Sequence, residues 1–167
     1  MKIYTFYALL KDAFTDKVRM LYTDTDLFFL QFFVDDLLNE IKSRPAVRGA
    51  FDFSDVSDHH LTGLHNIANA GEVGYFKDEC KCHPIVEFDG LRPKMYSFIV
   101  MDAEEYDPRL PVKPVQLRHN AVAKGVSRAN IKRFTHDEYV TMFREGDPRK
   151  VTNRRIGSKL HQVNHGN

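Results

Sequence analysis

The chain has 167 residues, 43% of them hydrophobic and 28% charged, with 24 Lys and Arg against 23 Asp and Glu. That length suits one domain or part of a larger protein, and thirteen Phe and seven Tyr are enough to bury a core. A net charge of +1 excludes strong steering of the whole chain toward nucleic acid or membrane, although Lys and Arg thicken from Lys113 to Lys159.

At the N-terminus no basic segment precedes an apolar one, so no secretory signal is expected. Ile3, Tyr4, Phe6, Tyr7, Leu10 and Phe14 recur near helical spacing and predict a helix over 2–14. Residues 18–22 read as a short strand, 23–26 as a turn and 27–32 as an aromatic-rich strand, together a β-hairpin with carboxylates at its tip. A short helix follows over 34–42, with Leu37, Leu38 and Ile41 on one side and Pro45 as its stop. Residues 44–71 lack periodicity and read as a long loop, and 72–76 as a strand. Cys80 and Cys82 flank a single residue, poor geometry for a disulfide, so an intracellular, reducing compartment is expected. Residues 84–88 and 94–101 read as paired strands turning at Asp89-Gly90. A Pro-containing linker is expected over 102–118. Beyond it the character turns helical: Ser127 caps one helix to about Phe134, and Thr135 with Glu138 has capping-box spacing for another to about Arg144. Gly146-Asp147-Pro148 ends it, and the basic, polar tail over 149–167 is expected to be poorly ordered. No apolar run reaches the length of a membrane span, so no membrane partner is expected. The fold class is α+β.

Asp24 and Asp26 stand two apart at the hairpin tip. Either they lean to one side, or one points inward while the other faces out. Such a tip offers hard oxygen ligands to Mg²⁺, which takes a few carboxylates plus waters and phosphates. Asp-Thr-Asp is also what an ordinary turn uses.

The wider string Arg19-Met20-Leu21-Tyr22-Thr23-Asp24-Thr25-Asp26 resembles the palm motif of family B DNA polymerases, written YGDTDS or YTDTDS. The Thr in second place resembles the protein-primed, viral, organellar and transposon branch. Two further stretches follow in the order that family requires. Phe76-Lys77-Asp78-Glu79, then Glu87-Phe88-Asp89-Gly90-Leu91-Arg92-Pro93-Lys94-Met95-Tyr96, resembles the segment with the KxY motif. Ala123-Lys124-Gly125-Val126-Ser127-Arg128, followed by His136-Asp137-Glu138-Tyr139, resembles the entry to the thumb. Phe51-Asp52-Phe53-Ser54-Asp55 and the basic 154–162 stretch resemble the family more weakly. The likeness runs from about Tyr4 to Gln162.

The resemblance implies an antiparallel palm sheet over 1–101 and a small, mainly helical thumb over 119–148. It implies part of a DNA-directed DNA polymerase, with primer-template DNA and dNTP as partners. Asp26 becomes the principal Mg²⁺ ligand of a two-metal site, with Asp24 beside it and Tyr22 and Thr25 shaping the hairpin. Such ions activate a 3′-hydroxyl and stabilise the leaving pyrophosphate. Lys94 and Tyr96 become the primer-terminus clamp, and period-two spacing on a strand puts both on one face. Lys124, Arg128, Lys132 and Arg133 become candidates for contact with duplex phosphates.

Three departures stand out. Leu27 replaces the family's Ser, Asp89 sits where a small apolar residue is usual, and the Pro-rich stretch from Tyr106 to Pro114 has no counterpart. The upstream Asp-x-x-Ser-Leu-Tyr-Pro carboxylate motif and the fingers motifs do not occur in these residues. The reading is therefore of a fragment with an incomplete Mg²⁺ site, inactive alone, whose further partner is the upstream polymerase half. Two alternatives stay open. One is a non-catalytic DNA-binding remnant using Lys94 and the thumb cations. The other is a small zinc module in which Cys80, Cys82 and His83 join His59, His60 or His65, although C-x-C-H is not a standard finger spacing. His161 and His165 are a weaker pair.

Overall fold

The computed structural model describes residues 3–102, 115–152, 155–159 and 162–166. The chain is a mixed α+β protein of two compact units, Met1–Pro84 with Met101–Gln116, and Ile85–Val100 with Leu117–Asn167.

The first unit begins with helix α1, Ile3–Phe14, which buries Phe6, Leu10 and Phe14. Those residues stand four apart, the spacing that stacks side chains on one helix face. A 3-10 turn at Thr15–Lys17 leads into strand β1, Val18–Asp24, which pairs antiparallel with β2, Leu27–Phe32. The β1 strand runs two residues beyond the expected 18–22, so the turn is only Thr25-Asp26. Helix α2, Leu37–Lys42, is shorter than expected because Asp36 caps it, its carboxylate accepting the Asn39 amide at 3.0 Å. Pro45 does not merely stop α2; it opens a further turn of helix, α3, Pro45–Arg48. There its fixed φ suits the first helical position, where the missing N–H costs nothing. The expected long loop over 44–71 therefore holds α3 and strand β3, Phe51–Asp52, which pairs in parallel with β4, Phe76–Lys77.

Aromatic rings from all of these elements meet. Phe6 stacks on Phe76 at 4.0 Å, meets Phe51 edge-on at 5.1 Å and lies 6.4 Å from Phe28. Leu10, Phe14, Val18, Ile41, Val47 and Leu64 extend this core.

Between β3 and β4 the chain is pinned by one buried carboxylate. Asp52 Oδ1 accepts the Ser54 amide at 2.9 Å, and Oδ2 accepts the Gly71 amide at 3.2 Å, with Lys77 Nζ 3.7 Å away. The Ser54 hydroxyl and amide, then the Gly71 amide and the Lys77 charge, hold this carboxyl down to about 2, against the burial that would raise it. A carboxyl lowered on folding stabilises the fold above its unfolded value of 3.8, and that contribution is lost as pH falls through about 2. Replacing Asp52 with Asn is therefore expected to cost about 1–3 kcal/mol at pH 7, the penalty for disrupting a buried hydrogen-bond set. The difference from wild type should shrink toward zero near pH 2, as read by urea unfolding across pH.

The second unit holds a sheet of order β5-β6-β7, formed by β5, Ile85–Arg92, β6, Met95–Asp102, and β7, Gln116–Ala123. Asp89-Gly90 is not the turn between β5 and β6. It lies inside β5, with Asp89 opposite Ser97 and Gly90 opposite Tyr96, and the chain turns at Pro93-Lys94 instead. Of the expected linker, 103–114 lie outside the described residues, and Gln116 to Arg118 belong to β7. The region expected to be mainly helical thus opens with a strand.

Helix α4, Arg128–Ile131, is capped by Ser127 as expected. Helix α5, His136–Glu145, carries the full Thr135/Glu138 capping box and ends at Gly146 with φ 67°, the left-handed position glycine favours. The helices cover a small apolar pocket lined by Met95, Ala123, Val126, Ile131, Phe134 and Tyr139. In the tail, which showed no pattern in sequence, β8, Arg155–Lys159, and β9, Gln162–Gly166, form an antiparallel hairpin.

Candidate functional site

The β1–β2 hairpin carries the two aspartates. Its register pairs Val18 with Phe32 and Asp24 with Leu27, and shifts between Met20 and Tyr22. Along β1 burial alternates, so Val18, Met20, Tyr22 and Asp24 share the inward face while Arg19, Leu21 and Thr23 are exposed. Asp24 is thus the half-buried last residue of a strand, and Asp26 is exposed in the turn. Of the two expected arrangements this is the second, with one acid turned in and its neighbour out.

The turn is tight. The Asp26 amide donates to the Asp24 carbonyl at 2.7 Å, and Thr25 between them has φ 58°. A three-residue hydrogen bond closed over a positive φ is a strained γ-turn, and a β-branched residue there is an outlier. Backbone strain of this kind concentrates at functional sites. The Thr25 hydroxyl donates to Asp24 Oδ1 at 3.1 Å, which helps to fix that carboxylate. Tyr22 packs edge-on to Phe29 at 6.0 Å and anchors the strand below the tip. Leu27, where the resemblance expects a hydroxyl, stands directly across from Asp24. The donor set at the tip is two hard carboxylates, which suits Mg²⁺ in kind but not in number.

In the second unit the clamp candidates differ from the expected geometry. Lys94 is not on a strand beside Tyr96. It occupies the turn before β6 with φ 61°, so the period-two argument does not apply to the pair. Tyr96 is on β6, with Phe88 and Phe98 rings each 6.3 Å from its own. The fold does bring Lys94 to a second candidate: the Lys124 amide donates to the Lys94 carbonyl at 2.9 Å. Lys124, Arg128 and Lys132 are all exposed, Arg128 as the first residue of α4 and Lys132 as its C-cap.

The residues weighed for zinc are tied into loop structure. Asp78 accepts the amides of Cys80 and Cys82 at 2.9 and 2.8 Å. Burial, then the Asp78 charge, pushes the Cys82 thiol up to about 12, the opposite of what a metal-binding thiolate needs. The His60 Nδ1 lies 2.8 Å from the Thr62 hydroxyl, and His65 Nδ1 lies 2.6 Å from the Val56 carbonyl. Among the described residues no three His, Cys, Asp or Glu side chains form a group that would hold a metal ion. His161 lies outside the described residues.

One cluster had no signal in sequence. Ser97, His119 and His136 meet in the second unit with Glu87 and Asp89 beside them. The only hint was Asp89, already out of place for the family pattern. Against protein-family models, curated proteins and solved structures, the chain matches none.

Proposed function

We propose that this chain is the palm and thumb part of a DNA-directed DNA polymerase of the family B type. Asp26 and Asp24 hold Mg²⁺, and Lys94, Tyr96, Lys124, Arg128 and Lys132 face primer-template DNA. The observation that carries this reading is the strained two-residue turn that holds Asp26 in the open and Asp24 at a strand end. Bound Mg²⁺ would supply charge to activate a 3′-hydroxyl and to stabilise a departing pyrophosphate. The chain's own part is to present Asp26 oxygens outward, to orient Asp24 through Thr25, and to hold the Tyr96 ring among Phe88 and Phe98 beside a primer end. Two carboxylates from one hairpin lack an opposing ligand, and Mg²⁺ gives up its waters reluctantly, so the chain alone binds it weakly. No helix among the described residues is long and apolar enough to cross a membrane.

Manganese titration tests the hairpin. Added Mn²⁺ is expected to broaden the amide resonances of residues 23–28, and Asp26→Ala to remove that broadening. Unchanged broadening in the variant would place the ion elsewhere.

A second reading, a DNA-binding remnant without catalysis, draws support from the Lys94–Lys124 backbone bond, which gathers two cations at neighbouring turns. For this test Lys94 is best replaced with Asn, which tolerates positive φ and removes only the charge. Loss of one phosphate contact is expected to lower the slope of log affinity against log salt by about one. If Asp26→Ala leaves DNA affinity intact while Lys94→Asn weakens it, binding is separable from the metal tip. Loss of binding with Asp26→Ala alone counts against the remnant.

A further inference from the structure

Ser97 sits within β6, fully buried, opposite Asp89 of β5. Its hydroxyl oxygen is 2.8 Å from Nε2 of His119 on β7 and 2.8 Å from Nδ1 of His136, the first residue of α5. On its other side His136 Nε2 lies 3.3 Å from Glu87 Oε2 of β5. The two imidazoles are 6.0 Å apart, centre to centre. Asp89 is 9% exposed, and its Oδ2 has no hydrogen-bond partner among the described residues. One hydroxyl thus joins two strands to the start of a helix, and His136 carries the contact on to a third strand through Glu87.

Donor counting orients the chain of contacts. A hydroxyl has one hydrogen, so it can donate to only one of its two imidazole neighbours and must accept from the other. The negative charge of Glu87 beside His136 Nε2 favours a hydrogen on that nitrogen, which leaves Nδ1 as an acceptor when the ring is neutral. Ser97 then donates to His136, and His119 donates its Nε2–H to Ser97. The polarity runs from His119 through Ser97 to His136 and on to Glu87.

The geometry points to a one-proton polarity switch through Ser97. A proton taken up at the free nitrogen of His119, an exposed residue, lets its Nε2 hydrogen pass to the Ser97 oxygen while the Ser97 hydrogen passes to His136 Nδ1. One proton has been gained and none is left over. His119 is again neutral, now carrying Nδ1–H, and accepts from Ser97. His136 is an imidazolium donating to Ser97 and facing Glu87.

The surrounding charges fit this destination. Glu87 and Asp89 face His136 from β5, His119 meets it from β7, and Arg144 of α5 acts on Asp89. Burial, then the neighbouring His136, holds His119 below the ordinary imidazole range, so His119 is a poor resting place for charge. Burial pushes the Asp89 carboxyl up, and His136 and Arg144 oppose that. The positive end of α5 disfavours a cation at its first residue. The switched state therefore depends on both carboxylates, and in it the start of α5 is tied more firmly to β5.

Nitrogen NMR of the histidine rings from pH 8 to pH 5 tests this without any variant. His119 is expected to change from the Nε2–H to the Nδ1–H tautomer over the same pH interval in which His136 gains its second hydrogen. In Ser97→Ala the His119 tautomer should no longer follow His136. A His119 ring that carries Nδ1–H at pH 8, or that keeps one tautomer while His136 charges, overturns the switch. The switch stands apart from the polymerase reading and survives or fails independently of it.

Discussion

Asp26→Ala is expected to abolish primer extension in a reaction where this chain is complemented by a polypeptide carrying the upstream palm carboxylate and fingers motifs. The expected loss is at least about a thousandfold, equivalent to roughly 4 kcal/mol of transition-state stabilisation. Asp26 is the exposed acid of the tip, so its oxygens are the ones free to reach an ion shared with the opposing carboxylate. Asp24→Ala should cost less, about tenfold, because Asp24 is half-buried and one of its oxygens already accepts the Thr25 hydroxyl. On the proposed reading the chain without its complement should give no extension, since the upstream carboxylate and fingers motifs that would orient the reaction do not occur in its sequence. Labelled-primer extension resolves all of these cases. Extension by the unaided chain that vanishes with Asp26→Ala would show that the hairpin suffices. Full extension by the complemented Asp26→Ala variant would remove Asp26 from the chemistry.

Phe6→Ala is expected to destabilise the first unit by about 3–5 kcal/mol, the range for deleting a buried aromatic side chain. Phe6 is 2% exposed and touches rings from β2, β3 and β4, so its loss leaves a hole that no single neighbour can fill. In a domain whose total stability is about 5–15 kcal/mol, such a loss removes a large share. Urea unfolding should show a lower midpoint with an unchanged slope. Tyr4→Ala is the control: Tyr4 is 84% exposed on the same helix, and its replacement should stay within about 0.5 kcal/mol of wild type. Equal effects at both positions would contradict the packing. The loss also bears on the tip, because Phe6 packs near Phe28, which follows Leu27 at the start of β2.

Local chemistry was legible in the sequence wherever neighbours along the chain decide the outcome. The α1 face follows from Phe6, Leu10 and Phe14 at helical spacing. Ser127 and the Thr135/Glu138 pair mark helix starts because a cap needs only its own first turn. Asp26 was readable as a turn residue for the same reason, whereas Asp24 ends β1. Where distant residues decide, the local signal misled. Asp89-Gly90 has strong turn chemistry, yet Asp89 pairs with Ser97 in mid-strand, and the turn falls at Pro93-Lys94, where a lysine takes positive φ. Pro45 reads equally as an end or a beginning until the packing of Val47 is known. The Ser97, His119 and His136 cluster was invisible because three strands and a helix must assemble before those residues meet.

The parallel pairing of β3 with β4 also sets an order of assembly. Phe51 meets Phe76 only after the intervening chain has closed, and loop closure must precede the contact that rewards it. The β1–β2 hairpin needs only a two-residue turn and can form on the microsecond scale. The acidic tip is therefore expected to form early in folding, before the Phe76 ring that backs Phe28 arrives. An interval follows in which both carboxylates are displayed on a hairpin not yet seated. A divalent ion captured during that interval would meet a more compliant site than the finished protein offers.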